Sequence, residues 1–137
     1  MTDTGKSFEL EILTPLKSVF KGQVEYVMAT GADGLFGVLI NHAPMLSGLG
    51  FGPMKIRSGG QDSWFVLSDG FFEIRKNVAT LLVDTAEAKE NIDVKRAEAA
   101  KDRAMKRLHE RQDNLDVDRA RAALHRALTR LSTVERR

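Results

Sequence analysis

The sequence predicts an α+β protein in which a β domain, either a sandwich or a barrel, is followed by an antiparallel hairpin of two α-helices. All 11 glycines and 3 prolines lie at or before Gly70, and all aromatic residues lie at or before Phe72. The chain beyond Phe72 therefore contains no helix breaker. It also contains an internal repeat whose two copies both have the form of a helix start.

Five segments of the first part have the sequence pattern of β-strands. Residues 8–12 and 24–28 alternate, or nearly alternate, apolar with polar side chains, as a half-buried strand does. Residues 64–67, 71–74 and 78–83 are rich in the aromatic and β-branched side chains that suit a pleated surface. Turn signals separate these runs, at residues 14–15, 31–34, 52–53, 58–60, 68–70 and 76–77. Their spacing of about ten residues is typical of a sandwich or a barrel.

The repeat predicts the two helices. NIDVKRA at residues 91–97 returns as NLDVDRA at 114–120, and in each copy the aspartate, Asp93 or Asp116, is expected to cap a first turn. The first helix would run to about His109 and the second from about Val117 to Val134. Their apolar stripes are Ala97, Ala100, Ala104 and Leu108 in the first helix, and Ala120, Ala123, Leu124, Ala127, Leu128 and Leu131 in the second. Because alanine buries little area, we expect a weakly held and movable hairpin.

Length and composition exclude several classes of protein. A chain of 137 residues is one domain, or a small domain with an appendage. The absence of cysteine excludes disulfides, thiolate zinc sites, iron–sulfur clusters and a cysteine nucleophile. No apolar run approaches the roughly 18 residues of a membrane helix. The first residues have neither signal-peptide nor transit-peptide character, so the chain is expected to stay where it is made.

The residue types that carry catalysis show no recognisable motif. His42, His109 and His125 share no spacing with carboxylates, so no metal is expected. Residues 59–63 lack the lysine of a phosphate loop, and no serine has nucleophile-elbow context. An enzyme acting alone is therefore not expected. For His42 the favoured interpretation is a buried corner in which the imidazole satisfies backbone groups, ahead of a direct contact with a partner.

Charge is distributed unevenly, and the arginines of the basic part are the most suggestive residues. Residues 1–85 carry a net charge of −2 and residues 86–137 one of +4. Helical spacing places two arginines on one face of each helix: Arg96 and Arg103 in the first, Arg126 and Arg130 in the second. In a closed hairpin they would converge and favour a phosphate, with Glu87 and Asp93 neutralising part of the charge or bonding a base or ribose. The alternatives are a solvated basic face and contact with an acidic protein surface.

Four segments, in order and spacing, resemble the ε-subunit family of bacterial F-type ATP synthases. They are GVLINHAPML at residues 37–46, SDGFFE at 68–73, VATLLVDTAE at 78–87 and IDVKRA at 92–97. The resemblance extends from about Phe8 to the end of the sequence. It implies a ten-stranded β-sandwich at residues 1–87 that binds the γ subunit and the c-subunit ring, and a regulatory α-helical hairpin at 88–137.

The function that the resemblance implies is that of a non-catalytic central-stalk rotor subunit. Such a subunit couples proton transport to ATP synthesis, and its extended helices enter the α/β hexamer and inhibit ATP hydrolysis. The expected location is peripheral, on the cytoplasmic face of the bacterial membrane, without direct insertion and without nucleic acid.

The resemblance also implies site residues. In some bacterial members an Ile-Asp-x-x-Arg-Ala motif binds ATP as a regulatory ligand, not a substrate, and no metal is required. The residues that correspond here are Glu87, Ile92, Asp93, Arg96, Ala97, Arg103, Arg126 and Arg130. Contact with the γ subunit or the c ring is assigned to Leu35, Asn41, His42, Ala43 and Pro44. Two positions depart from the family pattern: Leu35 replaces a frequent acidic residue, and Ile40 replaces a frequent proline.

Two other classes of function compete with this interpretation. One is a free-standing nucleic-acid-binding protein with a basic helical tail, but ten carboxylates interrupt that tail and the aromatic residues have the pattern of a core. The other is a small nucleotide hydrolase, which needs a metal-binding carboxylate pair that the sequence does not offer.

Overall fold

The computed structural model describes residues 6–110 and 113–137. Ten strands come first: β1 Phe8–Leu13, β2 Ser18–Val24, β3 Tyr26–Gly31, β4 Gly34–Val38, β5 Met45–Leu49, β6 Gly52–Ser58, β7 Gln61–Leu67, β8 Gly70–Arg75, β9 Val78–Val83 and β10 Ala86–Ala88. A single 3-10 turn, Lys89–Asn91, leads into two helices, α1 Val94–Glu110 and α2 Val117–Val134. The predicted fold class is confirmed.

The strands form two facing layers. Hydrogen bonding runs in the order β10-β7-β6-β3-β5-β8-β9-β1-β2, with β4 beside β3. β3 and β5 share only the register pair Gly31 and Leu49, so the sheet folds over at this point. Rings of the two layers then meet face to edge: Phe20 with Phe65 at 6.4 Å between centroids, and Phe36 with Phe72 at 5.2 Å. These contacts close the sandwich.

The hydrophobic core lies between these layers. Strand β1 shows the alternation that produces it, since Phe8, Leu10 and Ile12 are buried while the residues between them are partly exposed. The core cluster of the described residues extends from Phe8 to Ala88 and contains no helical residue. The core between the layers is therefore complete without the helices, although Trp64 and Val66 of β7 are buried outside this cluster.

Two local predictions in the β domain were wrong. Residues 24–28 are not one strand, because β2 ends at Val24 and Glu25 separates it from β3. There the Glu25 N–H donates to the Arg57 carbonyl at 2.7 Å and its carboxylate accepts the Gly60 N–H at 2.9 Å, which bends the chain. Gly52 and Pro53 belong to β6 and not to a turn: a Cβ at residue 52 would overlap Thr30, whose hydroxyl donates to the Pro53 carbonyl at 2.9 Å.

The helix predictions were accurate. Asp93 Oδ1 accepts the Arg96 N–H and Asp116 Oδ1 accepts the Arg119 N–H, both at 3.0 Å, so each aspartate caps its helix as expected. The alanines Ala97, Ala104, Ala120 and Ala127 are buried. Leu128 is 46% exposed, so this member of the predicted stripe lies outside the helix contact.

A surface ion pair joins the two strands of the β6–β7 hairpin. Arg57 Nε donates to Asp62 Oδ1 at 2.9 Å across the two strands. This hydrogen bond lowers the pKa of Asp62 and raises the pKa of Arg57. Its stabilisation is present above the unfolded-state pKa of Asp62 and is lost as the pH falls through the folded-state value. Solvent screening keeps the effect small.

Gly70 provides a test of the sandwich packing. A Cβ at this position would overlap the Leu82 carbonyl and lie 2.8 Å from Val83 Cγ1. Gly70→Ala should therefore lower the free energy of unfolding by about 1–3 kcal/mol, as overpacking does. The control is Gly22→Ala in β2, where the new Cβ would lie 3.5 Å from the nearest atom of Phe20. Equal urea midpoints for the two variants would contradict the packing described here.

Candidate functional site

Phe51, in the loop between β5 and β6, is the sandwich residue around which α2 docks. The His125 ring meets it edge-on, with 6.2 Å between centroids, and His125 Nε2 lies 3.4 Å from the Phe51 carbonyl oxygen. Five residues later, the Arg130 guanidinium lies over the same ring at 5.3 Å from its centroid. The Phe51 side chain thus contacts both a histidine and an arginine of α2.

An ion pair adds a second connection between α2 and the sandwich. Arg130 Nε donates to Glu87 Oε2 at 2.8 Å, and Glu87 lies in β10, the last strand before the helices. The two side chains are about one-third exposed, so solvent screens the pair only in part. Glu87 was expected to neutralise part of the arginine charge, and the structure assigns it to Arg130.

The Ile-Asp-x-x-Arg-Ala segment begins α1. Ile92 and Ala97 are buried, whereas Asp93 and Arg96 lie on the exposed side. Asp93 bonds the Arg96 backbone N–H through Oδ1, so its carboxylate already has a structural task in capping the helix. The apolar members of the segment therefore pack, and the Arg96 guanidinium faces solvent.

The other two arginines of the predicted site, Arg103 and Arg126, line two different clefts. Arg103 contributes to a cleft of about 630 Å³ near the connection between the helices, where Arg107 of α1 and Arg119 of α2 add further positive charge. Arg126 lines a smaller cleft of about 340 Å³ between α2 and the sandwich, which also contains Asp69 and Asp84. In this conformation Arg103, Arg126 and Arg130 thus occupy three separate environments.

Several residues at these places were missed by the sequence reasoning. They are Phe51, Asp69, Asp84, Arg107, Arg119 and His125 as a contact residue. Phe51 carried a signal, because an aromatic residue between Gly50 and Gly52 is free to project from a tight loop. The two aspartates carried none, since each lies in an ordinary turn sequence.

The loop assigned to rotor contact is held by the neighbouring turn between β8 and β9. The Asn41 N–H donates to Asn77 Oδ1 at 2.7 Å, and Asn77 Nδ2 donates back to Asn41 Oδ1 at 3.0 Å. Both asparagines have positive φ, at 65° and 61°. Reciprocal bonds at two constrained residues give this loop a defined shape.

The side chains of this loop are largely accessible. Ala43 and Pro44 are exposed, and so is Leu35 in the preceding strand β4, at 65%. His42 is only partly buried, so the expected buried corner was wrong in this respect. Its Nδ1 does lie 2.7 Å from the Ala43 carbonyl oxygen, which is the backbone contact anticipated for the ring.

Residues 6–110 and 113–137 contain no group of three or more histidine, aspartate or glutamate side chains arranged to hold a metal. No helix in that part of the chain is both long enough and apolar enough to cross a bilayer.

Fold and site together define a two-part protein, a β-sandwich against which a basic helical hairpin is docked. The model of the ATP synthase delta/epsilon chain β-sandwich domain matches residues 7–89, and that of the delta/epsilon chain long α-helix domain matches residues 90–135. The chain therefore belongs to the ATP synthase delta/epsilon chain family. This membership confirms the prediction of a non-catalytic ATP synthase subunit.

Individual relatives agree with the family models. The ATP synthase epsilon chain of Pelotomaculum thermopropionicum is 47% identical over 103 residues, which cover 75% of this chain and 77% of the relative. That of Desulforamulus reducens is 42% identical over 104 residues, covering 76% and 79%.

Solved structures show the same fold. A chain in the mitochondrial ATP synthase of Euglena gracilis, solved as OSCP/F1/c-ring, aligns with a TM-score of 0.71 at 20% identity and covers 94% of this chain and 78% of its own. A chain of the Tetrahymena thermophila central stalk and c ring aligns at 0.54 with 17% identity, covering 92% of both chains.

Arg130 offers a test of helix docking without nucleotide. Arg130→Ala removes the ion pair to Glu87 and the contact with Phe51, and should cost on the order of 1 kcal/mol. Amide hydrogen exchange in α2 should then accelerate about fivefold, provided that docking protects these amides. Arg121→Ala, an exposed arginine of the same helix, is the matched control. Identical exchange in both variants would show that Arg130 does not hold the helix.

Proposed function

We propose that this chain is the central-stalk rotor subunit of a bacterial F-type ATP synthase, where it couples proton transport to ATP synthesis and restrains ATP hydrolysis through its two helices. The observation that carries the proposal is the independence of the sandwich core from the hairpin. A domain that is complete without the helices can stay bound in the stalk while the helices change partners. Family membership supplies the complex in which this would occur.

The division into a stalk-binding part, residues 1–87, and a regulatory part, residues 88–137, belongs to this proposal. The core cluster and its packed neighbours end at Ala88, and the 3-10 turn that follows contains no buried residue. The α2 contacts with the sandwich include the partly exposed ion pair of Arg130 with Glu87 and the contacts with the Phe51 ring. Such contacts can be exchanged for others at low cost, whereas a core cannot.

We assign the binding of the γ subunit and the c ring to the sandwich, with Leu35 of β4 and the following loop residues Asn41, His42, Ala43 and Pro44 contacting the rotor. Exposure of Leu35 and Pro44 supports this assignment, and so does the shape that Asn77 imposes on the loop. The chain would then lie peripherally at the cytoplasmic face of the membrane. The extended helices, in the part with a net charge of +4, would contact the α/β hexamer.

ATP is the proposed regulatory ligand of the hairpin, with no metal needed for binding. Arg96, Arg103 and Arg126 have no ion-pair partner among the described residues, which leaves three guanidiniums for phosphate oxygens. Arg130 is already paired with Glu87, so binding would require this pair to share its hydrogen bonds with the ligand or to separate. Since both helices contribute residues, ATP would stabilise the compact hairpin by mass action.

Removal of the hairpin tests the inhibitory role. Assembled complex that contains a chain ending at Glu87 should hydrolyse ATP faster than complex with the full chain, because no helix can enter the hexamer. Proton-driven synthesis in reconstituted vesicles should be retained, which controls for assembly. Equal hydrolysis by both complexes from micromolar to millimolar ATP would refute inhibition by the helices.

Calorimetry of the isolated chain tests the ATP site. Wild-type protein should give a saturable heat with ATP, both with and without Mg²⁺. Arg103→Ala and Arg126→Ala should each weaken affinity by at least about tenfold if a charged hydrogen bond of roughly 1.5–3 kcal/mol is lost. Arg121→Ala is the control with the same charge change. The site is wrong if the wild type gives no saturable heat, or if all three variants bind alike.

A further inference from the structure

Trp64 is a buried side chain that the sandwich core does not use. It is the only tryptophan of the chain, and it lies in β7 with 8% exposure, yet it is not part of the core cluster. Lys55 of β6 lies over its ring at 5.7 Å, and the chain after α2 adds two contacts: Trp64 Nε1 donates to the main-chain oxygen of Arg137 at 3.2 Å, and the Arg136 guanidinium lies over the indole at 4.9 Å from its centroid. The end of the hairpin therefore rests on this one ring.

Lys89 completes the contact from the other side of the sequence. Its ammonium, in the 3-10 turn between sandwich and α1, donates to the Arg136 carbonyl. Lys89 thus binds the main-chain oxygen of Arg136, and Trp64 binds that of Arg137. Such a pairing fixes the register of the segment, because a shift by one residue would break both hydrogen bonds.

Residues 135–136 continue the backbone hydrogen bonding at the end of α2, so residues 135–137 meet Trp64 at a defined position. The N–H groups of Glu135 and Arg136 donate to the carbonyls of Ser132 and Thr133 at 3.3 and 3.0 Å. Thr133 is fully buried and its hydroxyl donates to the Thr129 carbonyl at 2.7 Å. Docking of residues 135–137 on Trp64 is therefore rigidly connected to α2.

We propose that Trp64 and Lys89 form a docking site for residues 135–137, a clasp that holds the end of α2 on the sandwich without any ligand. The clasp residues differ from every residue assigned to ATP. A contact made only in the compact state shifts the equilibrium toward that state by its full free energy. In its regulatory consequence the inference rests on the proposed function: the clasp sets how much ATP is needed to keep the hairpin from inhibiting hydrolysis.

The fluorescence of Trp64 in the isolated chain reports whether the clasp is formed. Arg136→Ala removes the guanidinium from the indole, and Lys89→Met removes the donor to the Arg136 carbonyl while it keeps the length of the side chain. The double variant should show red-shifted emission and a rise of about twofold or more in the acrylamide quenching constant, because local opening exposes the ring. Circular dichroism checks that the fold is retained.

The control is Arg137→Ala, which removes the same single positive charge as Arg136→Ala and keeps the main-chain oxygen that Trp64 binds. No interaction of the Arg137 side chain with other described residues is part of the clasp, so quenching should stay at the wild-type level. If the double variant shows the emission and quenching of the wild type and of Arg137→Ala, the clasp does not exist.

Hydrolysis by the assembled complex separates the inference from the function on which it rests. The double variant should require at least about threefold more ATP to reach half of its uninhibited rate, since less of the hairpin is compact at a given ATP concentration. An unchanged ATP requirement, in a complex that hairpin deletion does activate, would overturn the regulatory role of the clasp. If deletion itself has no effect, the proposed inhibition fails, while the fluorescence result still decides the clasp.

Discussion

The constraint on which the rest of the structure depends is that the sandwich completes its core with its own strands. Phe8, Phe72, Leu81 and their neighbours fill the space between the layers, and no helical residue enters it. The helices therefore have only the outside of the sandwich on which to pack, and the contacts there are hydrogen bonds, one ion pair and aromatic faces. Surface contacts of this kind contribute far less free energy than a buried core does.

The contact between the two helices also buries little apolar area. It is built around Ala97 and Ala104 on α1 and Ala120 and Ala127 on α2, all of them buried. Small side chains let the helices approach closely but exclude little apolar surface from water. Capping by Asp93 and Asp116 compensates in part, because it stabilises each helix without reference to its partner. A helix that is stabilised by its own cap depends less on packing against the sandwich.

Sequence reasoning succeeded where the determinant is local and failed where it is not. The α2 bounds were obtained correctly because Asp116 caps the helix directly before its first residue and the alanine period lies within it. Glu25 was misassigned because the bend there is imposed by Arg57 and Gly60, more than 30 residues away. The arginine set was reached by helical spacing, and Glu87 was expected as a neutralising group. The position of α2 on the sheet determines which arginine pairs with Glu87 and which clefts the other arginines line. Helical periodicity carries no information about that position.

Arginine on the faces of the hairpin can interact with several kinds of partner. A guanidinium can lie over an aromatic ring, as Arg130 does on Phe51 and Arg136 on Trp64, or bond a carboxylate, as Arg130 does with Glu87. The same planar fork also binds phosphate, with comparable geometry. Exchange among such partners changes the free energy by little, whereas loss of all partners would cost more. A hairpin that carries arginine can therefore have several docked arrangements of similar free energy. A few additional contacts, such as the hydrogen bonds of Trp64 and Lys89 to two main-chain oxygens, are then enough to favour one arrangement.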